Sequence, residues 1–304
     1  MAEYQTPALV LRSYDQGESD RLVHLYSLHL GRVSVLAKGA RRSRRRFPGT
    51  LEILNVVQAR IVESRRSSLL RLDGARLEQS FDELVRPLGR YASGCLLLEL
   101  LDRFTGEREP HPALFRFAVG ALEVMRSESP DRLLALLLWL KTLAWLGYAP
   151  QLARCGVCDR ALARAGEVGF DPRHGGAVCR SCAQPEWGVA VRVLLALEAG
   201  LRRPLAERGA LGLGERDVLR AEGLVHRFFR FHLGTDLRSL GFLHEVLPLG
   251  RLDAAGIARD TSPGPTTQAR GTLGNPATGP RDSGDGSDRT GGAPLHSLSV
   301  DPPR

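Results

Sequence analysis

The sequence predicts an α+β protein, with an N-terminal five-stranded barrel followed by a mainly α-helical domain that contains an inserted four-cysteine module. Residues 1–80 contain short apolar runs of strand length, separated by turn-forming residues. From residue 81 the apolar residues recur at helical spacing. Two Cys-x2-Cys pairs then interrupt the helical pattern. These three observations together predict the fold class.

The N-terminal region is predicted to form five strands, over residues 6–11, 21–26, 32–37, 51–62 and 68–78. A polar loop from Ser13 to Asp20 separates the first two strands, and Leu30-Gly31 is the turn of a hairpin between the second and third. Five strands in about eighty residues suit a small closed barrel such as an OB-fold. The pattern alone leaves an SH3-like barrel open.

Apolar stripes predict helices over residues 84–104, 113–125, 131–146, 189–199 and 215–233, and a short segment over residues 236–246 completes the domain. Ser129-Pro130-Asp131 is a helix-start signal, and Gly234 is a helix-stop signal. The most apolar segment, residues 133–146, is short and carries Lys141. It is therefore predicted to be a buried helix and not a membrane span.

Three regions follow from these patterns: the barrel over residues 1–80, the helical domain over 81–250 with the cysteine module at about 148–187, and a tail over 251–304. Gly and Pro occupy 16 of the 54 tail positions. Such a segment buries too little apolar surface to offset the entropy lost on ordering the chain, so we expect it to be disordered.

The net charge is +8, and the excess of cations lies mainly in residues 1–80, which hold 14 Lys and Arg against 8 Asp and Glu. This balance favours a polyanionic partner. The loop after the third strand packs six cations into nine residues, and these are the predicted DNA-binding residues: Lys38, Arg41, Arg42, Arg44, Arg45 and Arg46. Guanidinium groups bind phosphates in bidentate fashion and stack on bases. The alternative interpretation is a solvated loop.

Three aromatic residues, Tyr14, Tyr26 and Phe47, belong to the same region. Each is either a stacking platform for a base or a core residue. The sequence shows no recognition-helix pattern beside the basic run, so it indicates nucleic-acid binding without a base preference.

The cysteine module has the spacing Cys155-x2-Cys158-x20-Cys179-x2-Cys182. This spacing is typical of a four-thiolate zinc site. Four thiolates fill a tetrahedral shell and leave no open position, so we predict one structural zinc ion per chain. Four metal-free thiols or redox-active pairs are the alternatives. His174, between the pairs, is expected to be a surface residue and not a ligand.

The sequence gives no sign of catalysis, and we expect a protein that is not an enzyme. The two lysines, Lys38 and Lys141, do not belong to a Gly-Lys-Ser/Thr motif, which excludes a Walker ATPase; the GxSxG, HExxH and dinucleotide-binding patterns are also missing. Cys95, outside the module, is read as a core residue, so a disulfide scaffold is not expected. The N-terminus has no signal-peptide pattern, and a cytoplasmic location is expected.

Several short motifs occur in order along the chain: Val10-Leu11-Arg12, Gly17-Glu18-Ser19-Asp20-Arg21, Leu25-Tyr26-Ser27, Gly31-Arg32, Ala37-Lys38-Gly39-Ala40-Arg41, Leu146-Gly147-Tyr148-Ala149-Pro150-Gln151-Leu152, Gly175-Gly176, His232-Leu233-Gly234 and Leu237-Arg238-Ser239. Together with the four cysteines, these motifs show that the chain resembles the bacterial RecO family of recombination mediator proteins. The resemblance spans about residues 4–245 and leaves the tail uncovered.

This resemblance implies an N-terminal OB-fold, a helical domain and a zinc module within that domain. It also implies binding to single- and double-stranded DNA, annealing of complementary strands, and location at the nucleoid in the cytoplasm. The implied partners are RecR and the single-stranded DNA-binding protein, so that RecA is loaded onto coated strands. A zinc-containing transcription or RNA-binding factor is the alternative function, and a thiol oxidoreductase is a more distant one.

Overall fold

We describe the protein from a computed structural model, which covers residues 2–248 except residue 44 and residues 64–68 and 183–187. Its N-terminal strands are β1 (Glu3–Gln16), β2 (Asp20–Ser27), β3 (Gly31–Ala37), β4 (Val56–Val62) and β5 (Leu70–Gln79). They close into a barrel with the order β1-β2-β3-β5-β4, in which β3 and β5 run parallel. The predicted five-stranded barrel is confirmed, and its topology is OB-fold-like. The predicted tail, residues 251–304, lies outside the described residues.

The barrel interior follows the alternation that strands impose on their side chains. In β3, Val33, Val35 and Ala37 are fully buried in the barrel core, whereas the intervening Ser34 and Leu36 are partly exposed on the outer surface. Because the period is two, each strand gives one side chain to the core for each one that it places outside.

The fourth strand is shorter than predicted, because residues 51–55 form turns and not part of a strand over 51–62. Leu54 has a left-handed backbone conformation, with φ of 69°, which ends the extended structure. Its side chain packs against the backbone of Gly94, where an added Cβ would lie 3.1 Å from Leu54 Cδ2. The apolar run at 51–54 is thus a packed connection, which periodicity cannot distinguish from a strand.

The described residues then form six α-helices: α1 (Leu88–Phe104), α2 (Pro112–Ser127), α3 (Arg132–Trp145), α4 (Val191–Arg202), α5 (Glu215–Leu233) and α6 (Arg238–Val246). The α+β class is therefore confirmed. The stripe predicted from Leu84 is divided: Leu84 belongs to a short 3-10 helix, and α1 begins after Pro87. The start signal before α3 is correct, since the Asp131 side chain accepts a hydrogen bond of 2.6 Å from the Leu134 amide.

A small antiparallel sheet lies between α3 and α4. It contains β6 (Glu167–Asp171), β7 (Gly176–Val178) and β8 (Gly188–Ala190), in the order β7-β6-β8. The prediction of a helix from residue 189 was wrong for its first two residues, because they belong to β8 and α4 begins at Val191.

Helix α1 lies between two apolar clusters. One side chain set, which includes Leu97, Leu98 and Leu101, packs with the outer face of the barrel and with α2. The other set, which includes Leu96 and Leu100, packs with α3, α5, α6 and the small sheet. The barrel and the helices are therefore joined through a buried helix and not by a flexible linker.

Helix α3 is buried along almost its whole length, as its apolar sequence predicts. The Lys141 side chain is only 9% exposed, and its Nζ donates a 2.7 Å hydrogen bond to the carbonyl oxygen of Leu201, near the end of α4. Burial lowers the pKa of Lys141 to about 8. Within the described residues, no helix is both long enough and apolar enough to cross a membrane.

This buried lysine makes a testable prediction about stability and pH. The unfolded chain keeps the Lys141 proton up to its ordinary pKa of 10.5, whereas the folded chain releases it near pH 8. The free energy of unfolding should therefore rise between about pH 8 and 10.5. Lys141→Met should raise that free energy at pH 7 by about 1–3 kcal/mol and remove the rise. Urea unfolding at pH 7 and 9 measures both effects.

The control is Lys38→Met, because Lys38 is the other lysine of the chain and is exposed. It should leave the difference in unfolding free energy between pH 7 and pH 9 unchanged. A Lys141→Met protein with the same pH dependence as the unmodified chain would contradict the prediction.

Candidate metal centre and nucleic-acid interface

The four cysteines of the module come together in space. The Sγ atoms of Cys155, Cys158, Cys179 and Cys182 all lie within 4.8 Å of one another. Cys158 Sγ and Cys179 Sγ are 3.8 Å apart, which is close to the spacing of two corners of a tetrahedron with metal–sulfur distances of about 2.3 Å. The described residues contain no other cluster of this kind. The geometry therefore fits one tetrahedral metal ion.

Backbone amides support the sulfur atoms. The amides of Val157 and Cys179 donate to Cys155 Sγ at 3.4 and 3.3 Å. Each cysteine pair is also closed by a turn: the Asp159 amide donates to the Cys155 carbonyl oxygen at 2.9 Å, and the Cys182 amide donates to the Cys179 carbonyl oxygen at 3.0 Å. Amide donors stabilise thiolates, which are the form that binds metal.

The thiol pKa values also indicate a cation site. Burial raises the pKa of Cys155, but the amides of Cys158, Cys179 and Val157 outweigh it, so that pKa falls below its usual range. The Ser181 hydroxyl lowers the pKa of Cys179 to about 6. Hydrogen bonds from the Cys182 thiol to the sulfur atoms of Cys179 and Cys158 raise the pKa of Cys182 to about 12, and repulsion from the negative charge of these two neighbours adds to the shift. A divalent cation among the four sulfur atoms would remove this repulsion.

Gly156 allows the two halves of the module to approach. A Cβ atom at this position would lie 1.8 Å from the carbonyl oxygen of His174, so only glycine fits between Cys155 and the second half. The Gly156 amide donates a 2.8 Å hydrogen bond to the carbonyl oxygen of Ala177. His174 is exposed, with Nδ1 3.0 Å from Asp171 Oδ2, and lies outside the cysteine cluster.

The predicted DNA-binding residues lie in the connection between β3 and β4. Those within the described part of the chain are exposed: Lys38, Arg41, Arg42, Arg45 and Arg46. Arg44 lies outside the described residues. The connection borders a cavity of about 650 Å³, whose lining includes Arg21, Arg41, Arg42 and Phe47.

This connection is folded onto the turn between β1 and β2. Arg41 Nε is 3.4 Å from Asp15 Oδ2, and its Nη1 donates to the carbonyl oxygens of Gly17 and Glu18 at 3.4 and 3.3 Å. Arg42 is 3.9 Å from a carboxylate oxygen of Glu18. Part of the charge of the basic run is thus balanced within the protein.

The remaining described cations differ in their contacts. Arg46 donates to the Lys38 carbonyl oxygen at 2.6 Å, and its guanidinium lies 5.2 Å from the centre of the Phe47 ring. The side chains of Lys38 and Arg45 have no hydrogen-bond or ion-pair partner within the part of the chain that the structure describes. These two cations are the ones most available to a phosphate.

The three aromatic residues separate into core and surface. Tyr26 and Phe47 are buried, whereas Tyr14 is 44% exposed. Tyr14 on β1 pairs with Leu22 on β2, and Leu22 pairs with Leu36 on β3. Because opposite residues of adjacent strands share a face, these three side chains form a half-exposed apolar row on the outside of the barrel. OB-folds bind oligonucleotides on their second and third strands.

Sequence analysis did not identify Leu22 and Leu36. They lie beside Tyr14 because of the strand register, and the periodicity of a sequence does not show how strands are paired.

The next row of residues on the same barrel surface consists of Arg12, His24 and Ser34. Asp102 of α1 anchors it, with Oδ2 2.6 Å from Arg12 Nε and Oδ1 2.8 Å from His24 Nδ1. Burial raises the pKa of Asp102, but these two partners outweigh burial and hold the pKa below its usual range.

Comparison with known proteins agrees with this architecture. A family model described as Recombination protein O N terminal matches residues 1–81, and one described as Recombination protein O C terminal matches residues 86–241. The chain belongs to the RecO family. A RecO relative from Myxococcus xanthus (strain DK1622), named DNA repair protein RecO, is 37% identical over 247 residues, which are 81% of this chain and 99% of the relative.

More distant RecO relatives match over a similar length. A protein of the same name from Anaeromyxobacter sp. (strain K) is 34% identical over 82% of this chain and 99% of its own length. Another, from Nocardioides sp. (strain ATCC BAA-499 / JS614), is 32% identical over 79% of this chain and 98% of its own length. The predicted family is thus confirmed.

The structure explains one RecO motif of this chain, Gly17-Glu18-Ser19-Asp20-Arg21. Asp20 Oδ1 accepts a 2.8 Å hydrogen bond from the Gly39 amide, which fixes the start of the basic connection. That bond is the main reason why the pKa of Asp20 lies below its usual range. Arg21 forms an ion pair of 2.8 Å with Glu52, which follows the basic connection in the sequence. The motif therefore holds the connection at both ends.

The metal site can be tested with one cysteine variant. Cys155→Ala removes a ligand that is also a buried core residue, so it should release the metal and destabilise the module and the helices packed against it. Cys95→Ala is the control, because it removes a thiol outside the cluster. Metal analysis by mass spectrometry and the thermal midpoint measure the two effects. Full metal content in the Cys155→Ala protein would refute this site.

Proposed function

We propose that this RecO-family chain binds DNA in recombinational repair, anneals complementary strands and, with RecR, helps to load RecA on single-stranded DNA coated by the single-strand-binding protein. The observation that carries this proposal is the basic connection folded beside the half-exposed row Tyr14, Leu22 and Leu36 on the barrel. Cations for phosphates and an apolar surface for bases then lie on the same domain. This combination is typical of single-strand-binding surfaces.

The proposed mechanism is electrostatic. Two complementary strands repel each other through their phosphates, and Lys38 and Arg45 would screen part of that repulsion while releasing condensed counterions. Bases resting on Tyr14 would remain unpaired and available to a second strand. Annealing of this kind makes and breaks no covalent bond, so the proposed role is that of a mediator and not of an enzyme.

We also propose that the metal ion is zinc. The donor set of four cysteine thiolates is the one that structural zinc sites use, and the measured sulfur spacing matches zinc–sulfur bonds of about 2.3 Å. Cys155, Cys158, Cys179 and Cys182 would hold the ion. Zinc would supply folding energy to the module and no reaction chemistry, because four protein ligands leave no open position.

The partner proteins are proposed on family grounds. RecR, the single-strand-binding protein and, indirectly, RecA are the partners that the resemblance implies, and the proposed location is the nucleoid in the cytoplasm, where these partners would act on DNA. Single- and double-stranded DNA are the proposed nucleic-acid ligands, because the barrel offers general cation and stacking contacts and no base-specific groups.

The DNA-binding surface can be tested with Lys38→Gln combined with Arg45→Gln. These cations do not hold the connection in place, so the fold should survive while binding to all single strands weakens alike. The slope of log affinity against log salt should fall by about 1.4, or 0.7 for each lost contact. Arg86→Gln with Arg116→Gln is the charge-matched control. An unchanged slope in the Lys38/Arg45 variant would mean that this loop is only solvated.

Annealing itself should be measured on complementary oligonucleotides coated with the cognate single-strand-binding protein, by fluorescence energy transfer between labelled strands. The unmodified chain should accelerate annealing, and Tyr14→Ala should slow it several-fold, because stacking contributes about 1–3 kcal/mol per base. Phe115→Leu, at a buried position on α2, is the control for loss of an aromatic ring. High affinity for one duplex sequence without annealing would instead indicate a transcription factor.

A further inference from the structure

Helix α5 has a basic face that the proposed function does not use. Four arginines form it: Arg216, Arg220, Arg227 and Arg230. At 3.6 residues per turn they fall within an arc of about 80°, and at 1.5 Å per residue they span about 21 Å. Arg216, Arg220 and Arg230 are exposed, and Arg227 is half-buried. We call this set the α5 arginine face.

Two of the three carboxylates of α5 are paired away from the face. Asp217 is 2.7 Å from Arg192 on α4, and Glu222 is buried against Arg132 of α3. Arg220 donates to the Gly188 carbonyl oxygen, which leaves its charge uncompensated. Arg216 has no ion-pair partner among the described residues, and Arg230 Nε is 3.4 Å from a carboxylate oxygen of Asp236, which is also 3.0 Å from His226 Nε2. The positive charges of Arg216 and Arg220 are therefore not compensated by a carboxylate of the described residues.

An exposed aromatic ring ends the face. The Phe231 side chain is 56% exposed, although it follows directly after Arg230. The core contacts of this part of α5 are made by Phe228 and Phe229, which are almost fully buried. Phe231 is not part of this core cluster, and its ring is therefore available to a ligand. Its neighbour His232 lies 5.1 Å away, ring centre to ring centre.

The α5 arginine face belongs to a different part of the molecule from the barrel surface. The apolar cluster that seats α5 includes residues of α1, α3, α4, α6 and the cysteine module, and no barrel residue among those described. The barrel instead packs against the opposite side of α1 and against α2. A strand on the barrel would thus leave the α5 face accessible.

We propose that the α5 arginine face with Phe231 is a second binding site for single-stranded DNA, in which the arginines contact phosphates and Phe231 stacks on a base. This inference rests on the proposed function, because it assigns the second strand of the annealing pair to α5 and the first to the barrel. Guanidinium groups spaced along about 21 Å suit a flexible backbone, and an exposed ring beside them suits an unpaired base.

The test uses the full chain with Arg216→Gln, Arg220→Gln and Phe231→Ala. The control carries Arg86→Gln, Arg116→Gln and Leu88→Ala, which removes the same charge and one exposed apolar side chain elsewhere. Donor- and acceptor-labelled oligothymidylates cannot pair with each other, so energy transfer between them reports two strands held by the protein. Sedimentation of the complex gives the number of protein chains, and the thermal midpoint checks the fold.

The unmodified chain and the control should hold two strands on one protein chain. The α5 variant should bind the first strand with an affinity within about twofold of the unmodified chain. Its affinity for the second strand should fall about tenfold or more, as loss of one stacked base and two phosphate contacts implies. The salt slope of second-strand binding should fall by about 1.4.

The outcomes separate this inference from the proposed function. If the unmodified chain binds no oligothymidylate, the proposed DNA-binding function fails. If it binds one strand but never a second on the same chain, or if the α5 variant captures the second strand as well as the control does, the barrel function stands and the α5 site is refuted. Energy transfer only in complexes of two protein chains would also refute it.

Discussion

The structure depends on the burial of helix α1 on two sides. Its sequence is apolar around most of its circumference, which is typical of a helix surrounded by protein. Leu97 and Leu101 pack towards the barrel, and Leu96 and Leu100 pack towards the other helices. Because one rigid helix contributes to both cores, the orientation of the barrel is fixed by side-chain packing.

Buried polar groups on α1 add direction to this packing. The Asp102 carboxylate contacts the side chains of Arg12 and His24 on the barrel. The Glu99 carboxylate accepts hydrogen bonds from the amides of Arg238 and Ser239 at 3.1 and 2.8 Å. The Glu99 carboxylate thus binds the first amides of α6, where the helix dipole favours an anion. Apolar contacts alone would allow α1 to rotate about its axis, whereas these directional bonds fix one rotational orientation of the helix. The same helix therefore positions the proposed DNA-binding rows and closes the helical domain.

Sequence patterns identified most elements and the four clustered cysteines for a physical reason. Helix α5 was predicted with its observed bounds because its period and its Gly234 stop signal are local properties. The four cysteines were recognisable because their spacing is typical of the two turns that bring four thiols to one point. By contrast, the left-handed turn at Leu54 depends on packing against Gly94, which lies on another element. The local sequence pattern around Leu54 does not show which distant residue it will contact.

The same limit applies to the charged surfaces. The run from Lys38 to Arg46 is obvious in sequence, but the structure shows that Arg41 and Arg42 are balanced by the β1–β2 turn. A run of cations is thus partly a device that holds a loop in place, and only contacts tell which charges remain for a ligand. On α5 the reverse holds. Its arginines are spread along nearly four turns and look unremarkable in sequence, yet folding brings them onto one face.

The metal centre and the α5 face are coupled through packing. Cys155 is buried in the cluster that contains Phe228, and the Phe170 ring of β6 lies 6.4 Å from the Phe228 ring, centre to centre. Metal binding energy is folding energy in a module of this kind. Its loss would therefore loosen the surface on which α5 rests before it changed any residue that contacts DNA. In the proposed function, a zinc ion at the cysteine cluster would in this way support strand binding without contacting a strand.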